Sequence, residues 1–231
     1  MKFGVIIFPG SNCDHDLIYV LRDILGQEVV ELWHKDRDLK GVDFVMVPGG
    51  FSYGDYLRSG AIARFSPVME SVIEHCNNGG YAMGVCNGFQ ILCEAGLLPG
   101  TLLHNTEHKF ICKNLHIKSA TSSTILTSGL DSDKVLKIPV AHGEGRYYAP
   151  DDVLKKLNEN QQVIFRYCDK DGHFNSKSNP NGSLENIAGV TNENKNVFGM
   201  MPHPERAADE LLGNEDGRLI FESILKALIP A

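Results

Sequence analysis

Short apolar runs alternate with helical patterns through the first 95 residues, and this alternation restricts the fold more than any other feature of the chain. Strand-like runs lie at residues 3–8, 29–33, 44–47 and 81–85, and the segments between them carry apolar residues at helical spacing. Strands joined through helices run parallel in a sheet. We therefore predict an α/β fold with an open, mostly parallel sheet flanked by helices.

The second half of the chain has a different pattern. Hairpin-sized runs at 110–118 and 163–167 predict antiparallel additions to the sheet. Residues 169–183 are rich in Asn, Asp, Gly and Ser, which favours a mobile surface loop. A last strand at 197–201 and a closing helix near 219–228 complete the expected fold, which we take as a single domain over 1–231.

Composition excludes several classes of function. A net charge of -7 without a stripe of Lys and Arg argues against nucleic acid as a partner. No apolar run approaches the roughly 20 residues that a membrane helix needs. The six cysteines show no CxxC spacing, which is typical of reduced thiols. We expect a cytoplasmic protein without a membrane partner.

The segment Gly84-Val85-Cys86-Asn87-Gly88 places a cysteine where a strand meets a helix. Glycines two residues before and two after it match a nucleophile elbow in its cysteine form. The tight turn leaves no room for side chains at the glycines and sets the sulfur at the positive end of a helix dipole, which favours a thiolate. We predict that Cys86 is a nucleophile and that the Asn87 N–H faces the developing oxyanion. The plainer interpretation is a buried packing thiol.

The segment Met201-Pro202-His203-Pro204-Glu205 offers a base and a group to orient it. Residues before proline are biased to extended geometry, in which positions two apart point the same way. We predict that Glu205 holds the His203 imidazole for proton transfer. The alternative is a proline-stiffened loop with a surface histidine.

A glycine-rich turn, Pro48-Gly49-Gly50, follows the third strand. Such turns line the ligand crevice at the carboxyl ends of parallel strands. The Gly50 N–H is therefore a candidate second donor to the oxyanion, although a plain tight turn fits this segment equally well.

Taken together, these three motifs resemble the class I glutamine amidotransferases. Longer segments are similar to the glutaminase subunits of phosphoribosylformylglycinamidine synthases, which act in purine biosynthesis, and the similarity covers nearly the whole chain. The chain departs from the family at none of the positions 86, 203 and 205. The segments that carry the similarity are 8–16, 49–64, 96–105, 139–148 and 188–207.

The resemblance implies a role for individual residues. Cys86 would be the nucleophile, His203 the general base and acid, and Glu205 its orienting group. The oxyanion would be bound by the amides of Gly50 and Asn87. The amino-acid end of glutamine would be held by four further residues, although the sequence at 141–144 differs from the class motif. These four are Gln90 and the backbone of Ser52, Gly143 and Glu144.

The resemblance also implies a division of labour between subunits. This chain would hydrolyse glutamine through a cysteine thioester and pass ammonia to a large synthetase subunit, often with a small third subunit. ATP and magnesium are expected in the synthetase, where formylglycinamide ribonucleotide would be converted to the formylglycinamidine ribonucleotide. The sequence contains neither a Walker A pattern nor GxGxxG, so no cofactor is expected in this chain.

Other interpretations stay open at the level of sequence. The stretch from His104 to His108 fits the HxxEH pattern of a zinc protease, but that motif works on a helix and this stretch follows Pro99-Gly100. Cys13 is a second candidate nucleophile, without the glycines of an elbow. A regulatory module with a dead site, or a stand-alone amidase or γ-glutamyl hydrolase, would use the same fold.

Overall fold

The computed structural model describes residues 1–229. Its strands and helices alternate through the first half of the chain, as the apolar pattern predicts. Their bounds are β1 Lys2–Ile7, α1 Asp14–Tyr19, β2 Glu28–Trp33, β3 Phe44–Val47, α2 Pro67–Asn77, β4 Tyr81–Val85, α3 Asn87–Glu94, β5 Thr101–Leu103, β6 Ile111–Ser119, β7 Val135–His142, β8 Arg146–Tyr148, α4 Asp151–Glu159, β9 Val163–Cys168, β10 Ile187–Thr191, β11 Val197–Met200 and α5 Arg218–Leu228.

A nine-stranded mixed sheet with the strand order β2-β1-β3-β4-β11-β10-β9-β6-β7 forms the centre of the fold. The five strands from β2 to β11 run parallel, and the next four pairings are antiparallel. The predicted parallel sheet with antiparallel additions in the second half is therefore confirmed. A separate two-stranded sheet joins β5 to β8.

The register of the central strands sets the position of the site. Val47 of β3 lies opposite Gly84 of β4, and Val85 lies opposite Met200 of β11. The loops that begin after these three strands therefore leave the same edge of the sheet side by side. Every residue of β3 and β11 is buried, which explains their continuous apolar sequence.

The helix after β1 changes form partway along its length. Residues 14–19 are α-helical, and Val20–Ile24 continue as a single π-helical turn in which Leu25 donates to the Val20 carbonyl at 3.0 Å. Of the apolar residues that the sequence predicts on one face of this helix, Leu17, Val20 and Leu21 are buried and Ile24 is partly buried.

The start of α2 has a proline in its first turn but no side-chain cap. Pro67 opens the helix after Ser66, as its fixed φ favours. The Ser66 side chain does not cap the helix, however, because its hydroxyl donates to the Ala63 carbonyl at 2.8 Å.

Residues 169–183 do not lie wholly on the surface, and to that extent the prediction is wrong. Asn181 and Ser183 are buried. Asn181 donates to the Gly145 carbonyl at 2.7 Å, and the Ser183 hydroxyl accepts from the Tyr147 N–H at 3.0 Å. The polar composition therefore serves an internal hydrogen-bond network as well as contact with water.

Within residues 1–229, no helix is both long and apolar enough to cross a membrane.

Candidate active site

Cys86 occupies a strained turn between β4 and α3. Its φ of 52° and ψ of -106° lie outside the regions that most residues adopt. A Cβ at Gly84 would meet the Gly88 backbone at 2.5 Å, and one at Gly88 would lie 1.9 Å from the Val47 carbonyl oxygen. Both glycines are thus required by close backbone contact, as the elbow pattern predicts.

The side chains of His203 and Glu205 form a buried pair. Nδ1 of His203 lies 2.6 Å from Oε1 of Glu205, and both residues are about 2% exposed or less. The backbone N–H of His203 donates to the Pro139 carbonyl at 2.8 Å, which fixes the loop against β7. The predicted contact is present, but its geometry differs from the extended form expected, because Pro204–Arg206 make a 3-10 turn.

Electrostatics favour the imidazolium form of His203. Burial by itself lowers the pKa of His203, but the charges of Glu205 and Cys86 and the nearby thiols of Cys13 and Cys86 outweigh it. The pKa of His203 is therefore raised well above its ordinary value. Nε2 of the ring makes no hydrogen bond with any described residue, which leaves this atom available for proton transfer.

The candidate nucleophile, Cys86, and the candidate base, His203, both lie beside Gly49. A Cβ built on Gly49 would lie 2.7 Å from Cε1 of His203, 3.2 Å from Sγ of Cys13 and 3.4 Å from Cβ of Cys86. The Cys86 thiol also faces the Ala141 carbonyl at 3.7 Å. Residues far apart in sequence are thus brought into one buried cluster, in which Cβ of Cys86, the sulfur of Cys13 and the imidazole of His203 all lie beside Gly49.

The two predicted oxyanion amides belong to residues next to this cluster in the chain, since Gly50 follows Gly49 and Asn87 follows Cys86. Asn87 begins α3, so its N–H has no acceptor within the helix. Gly50 has a φ of 128° and pairs with Ser11 in an isolated antiparallel bridge. Among the described residues, the Gly50 N–H donates no hydrogen bond.

Three of the four residues predicted to hold glutamine join a network around the Asn87 side chain. Oδ1 of Asn87 accepts from the Ser52 N–H at 3.1 Å, and Nδ2 donates to Oε1 of Gln90 at 3.0 Å. Nε2 of Gln90 in turn donates to the Glu144 carbonyl at 2.6 Å. The fourth residue, Gly143, has a different partner, because its carbonyl accepts from the Asn105 N–H at 2.9 Å.

Sequence reasoning did not assign Asp55 to the site. Its Oδ1 accepts from Nδ2 of Asn87 at 3.0 Å, and its Oδ2 accepts from the Ser59 hydroxyl at 3.1 Å. Burial, together with the charge of Glu144, raises the pKa of the Asp55 carboxyl. Its place in the glycine-rich segment that follows β3 is the only signal in the sequence.

Cys13 also lies nearer the site than the sequence indicated. Nη2 of Arg206 donates to the Cys13 sulfur at 3.0 Å. Burial raises the pKa of the Cys13 thiol, although His203 and Arg206 oppose this effect. Cys13 does not lie on a strand-to-helix elbow, and in this respect its surroundings differ from those of Cys86.

A second buried histidine, His142, stands close to His203. Burial and the neighbouring His203 lower the pKa of His142 to about 4. Its Nδ1 lies 3.1 Å from Oδ1 of Asn105, while Nε2 makes no hydrogen bond with the described residues. His142 is therefore neutral at pH 7.

The HxxEH stretch does not have the conformation that a zinc protease requires. Residues 104–108 follow β5 as a turn, and His108 has a φ of 53°. Two histidines on one helical face are therefore not available here.

All six cysteines are free thiols, and burial raises the pKa of Cys76 to about 12 and that of Cys168 to about 11.

Known proteins resemble this chain along nearly all of its length. Residues 1–217 match the family described as CobB/CobQ-like glutamine amidotransferase domain. The phosphoribosylformylglycinamidine synthase subunit PurQ of Salinibacter ruber is 54% identical, over 97% of this chain and 95% of its own length. The PurQ subunit of a Synechocystis strain is also 54% identical, over 96% and 99% of the two chains.

Solved structures agree with the sequence relatives. A chain in the PurLQS structure from Thermotoga maritima superposes with a TM-score of 0.86 at 43% identity, covering 98% of each chain. A glutamine amidotransferase from the same organism shares the fold alone, with a TM-score of 0.61 at 14% identity, covering 100% of this chain and 99% of its own. The chain therefore belongs to the CobB/CobQ-like glutamine amidotransferase family.

Proposed function

We infer that this chain is the glutaminase subunit of a phosphoribosylformylglycinamidine synthase and supplies ammonia for purine biosynthesis. The observation that carries this inference is the buried cluster in which Cys86, on its strained turn, meets the His203–Glu205 pair above Gly49. The full-length similarity to PurQ subunits supports this particular synthase among amidotransferases. We propose that residues 1–231 form one such domain.

The proposed chemistry begins with the sulfur of Cys86. The thiolate attacks the side-chain amide carbon of glutamine, and the charge on the carbonyl oxygen is stabilised by the N–H groups of Gly50 and Asn87. His203 then gives its proton to the amide nitrogen, the C–N bond breaks, and ammonia leaves a glutamyl thioester. Glu205 orients the imidazole and stabilises its charged form.

The second half of the reaction regenerates the thiolate. His203, now neutral, takes a proton from water, and the hydroxide attacks the thioester carbon. The C–S bond breaks, glutamate leaves, and the Cys86 thiolate beside the protonated His203 is restored. Gln90, Ser52, Gly143 and Glu144 are proposed to hold the amino-acid end of glutamine.

We also propose the partners of this chain. A large synthetase subunit would bind ATP, magnesium and the ribonucleotide and receive the ammonia, and a small third subunit would complete the assembly. The PurLQS structure, in which a chain similar to this one is found, supports such an assembly. Free thiols at all six cysteines fit a reducing compartment, so we propose the cytoplasm as its location.

The test compares two nitrogen sources in the complex reconstituted with the synthetase. Glutamine and ammonium should both support synthesis of the amidine product. Glutamine hydrolysis that proceeds without any coupling to the synthetase would favour a stand-alone amidase. Synthesis from ammonium alone, with no hydrolysis of glutamine, would favour a regulatory module.

A further inference from the structure

Residues 10–13, between β1 and α1, belong to a segment that carries the family resemblance, but the chemistry above gives them no role. They are interlocked with the turn that follows β3. The Phe51 N–H donates to the Gly10 carbonyl at 3.0 Å, and Ser11 pairs with Gly50. The two loops therefore form one short antiparallel ribbon.

The Gly49 carbonyl lies at the centre of this ribbon. It accepts from the N–H of Asn12 at 3.4 Å and from that of Cys13 at 3.3 Å. In a trans peptide the carbonyl and the next N–H point in opposite directions, so the Gly50 N–H is turned away from the loop after β1. Because β3 lies between β1 and β4 in the sheet, that direction is the side on which Cys86 follows β4.

Steric contacts hold the same peptide in place. A Cβ at Gly50 would lie 2.4 Å from the Asn12 nitrogen, so the ribbon leaves no space for a side chain there. Gly10 has a φ of 82°, and a Cβ on it would lie 2.5 Å from the Phe51 carbonyl oxygen. The backbones of the two loops therefore pack directly against each other, Gly50 against Asn12 and Gly10 against Phe51.

We propose that residues 10–13 are a positioning element, which clamps the Gly49–Gly50 peptide so that the Gly50 N–H faces the oxyanion before substrate arrives. The proposal rests on the proposed function, since the oxyanion belongs to that reaction. Rotation of this peptide would leave the Asn12 and Cys13 N–H groups without their acceptor. A donor held in advance stabilises the transition state without reorganisation.

Gly10→Ala tests the clamp, and Gly26→Ala is the matched control. Both glycines have positive φ, but a Cβ at Gly26 would meet nothing within 4 Å. In the reconstituted complex we would measure thioester formation from glutamine in a single turnover. Alkylation of Cys86 by iodoacetamide, read by peptide mass spectrometry, provides the second measurement. Alkylation displaces iodide and forms no oxyanion.

For Gly10→Ala we expect thioester formation to fall roughly 100-fold, the loss typical of a missing oxyanion donor. The KM for glutamine and the alkylation rate should match those of Gly26→Ala. Unchanged thioester formation would overturn the proposal. So would an equal loss of alkylation, because it would mean that the whole site had been disrupted.

Ser11→Ala provides a milder test if Gly10→Ala does not fold. It removes a hydroxyl whose single proton lies between two acceptors, the Phe8 carbonyl at 3.0 Å and Oδ2 of Asp14 at 2.8 Å, and so loosens the loop. A smaller loss of thioester formation with normal alkylation supports the clamp, and no loss overturns it. The wild-type complex separates this proposal from the function itself, since failure of wild type to release ammonia from glutamine would refute the function.

Discussion

Glu205→Gln isolates the contribution of charge to the proposed catalytic pair. The substitution keeps the size of the side chain and an oxygen that can face Nδ1 of His203, but it removes the negative charge 2.6 Å from the ring. Both side chains are almost fully buried, so water cannot replace the lost charge. The imidazolium of His203 would then stand without a counter-ion.

The magnitude of the effect follows from this burial. Removing one partner of a buried ion pair costs about 3–5 kcal/mol. Since each 1.4 kcal/mol or so of barrier is tenfold in rate, thioester formation should slow by roughly a hundredfold to a few thousandfold. Glu215→Gln is the control, because Glu215 pairs with Arg218 on the surface, where such pairs contribute about 1 kcal/mol or less.

The assay is single-turnover thioester formation as a function of pH in the reconstituted complex. Because Glu205 raises the pKa of His203, its loss should move the alkaline limb of the rate profile to lower pH. A Glu205→Gln rate equal to that of Glu215→Gln, with an unmoved limb, would refute the orienting role.

The same variant tests a linkage between pH and stability. A pKa that is raised on folding contributes stability that is fully present below the unfolded value, about 6.5 for histidine, and is lost as pH rises through the folded value. The wild-type advantage in the free energy of unfolding over Glu205→Gln should therefore be larger near pH 6 than at high pH. Chemical denaturation across this range measures it, and an advantage that grows with pH would contradict the assignment.

Three further changes have definite expected outcomes. Cys86→Ala should abolish glutamine-dependent synthesis and preserve ammonium-dependent synthesis, and loss of both would count against separate sites. Gly88→Ala brings a methyl group to 1.9 Å from a backbone oxygen of β3, so the free energy of unfolding should fall by about 1–3 kcal/mol. Gly96→Ala places its methyl group in open space and should retain activity. Asn87→Ala leaves the buried Ser52 N–H without its acceptor, so we expect the free energy of unfolding to fall by about 1–3 kcal/mol. We also expect a higher KM for glutamine. An unchanged KM would argue against a role of this network in holding substrate.

Some features of the protein follow from sequence alone because their causes are local. Apolar runs alternating with helical periodicity specify parallel strands, and the bounds 44–47 and 81–85 agree with β3 and β4. The glycines that flank Cys86 encode the elbow, since close approach of backbone to backbone excludes any Cβ. A two-residue spacing brought His203 and Glu205 within reach of each other, even though the turn between them proved to be 3-10 rather than extended.

Only the tertiary structure decided how these local pieces meet. Nothing in the spacing of residues 13, 86 and 203 places their side chains above Gly49, because that convergence depends on the order β1-β3-β4-β11 in the sheet. The orientation of the Gly50 amide likewise depends on two N–H groups from a loop nearly 40 residues earlier. Sequence patterns report which backbone a segment favours, whereas contacts across the sheet arise from strand order and register, which no single segment contains.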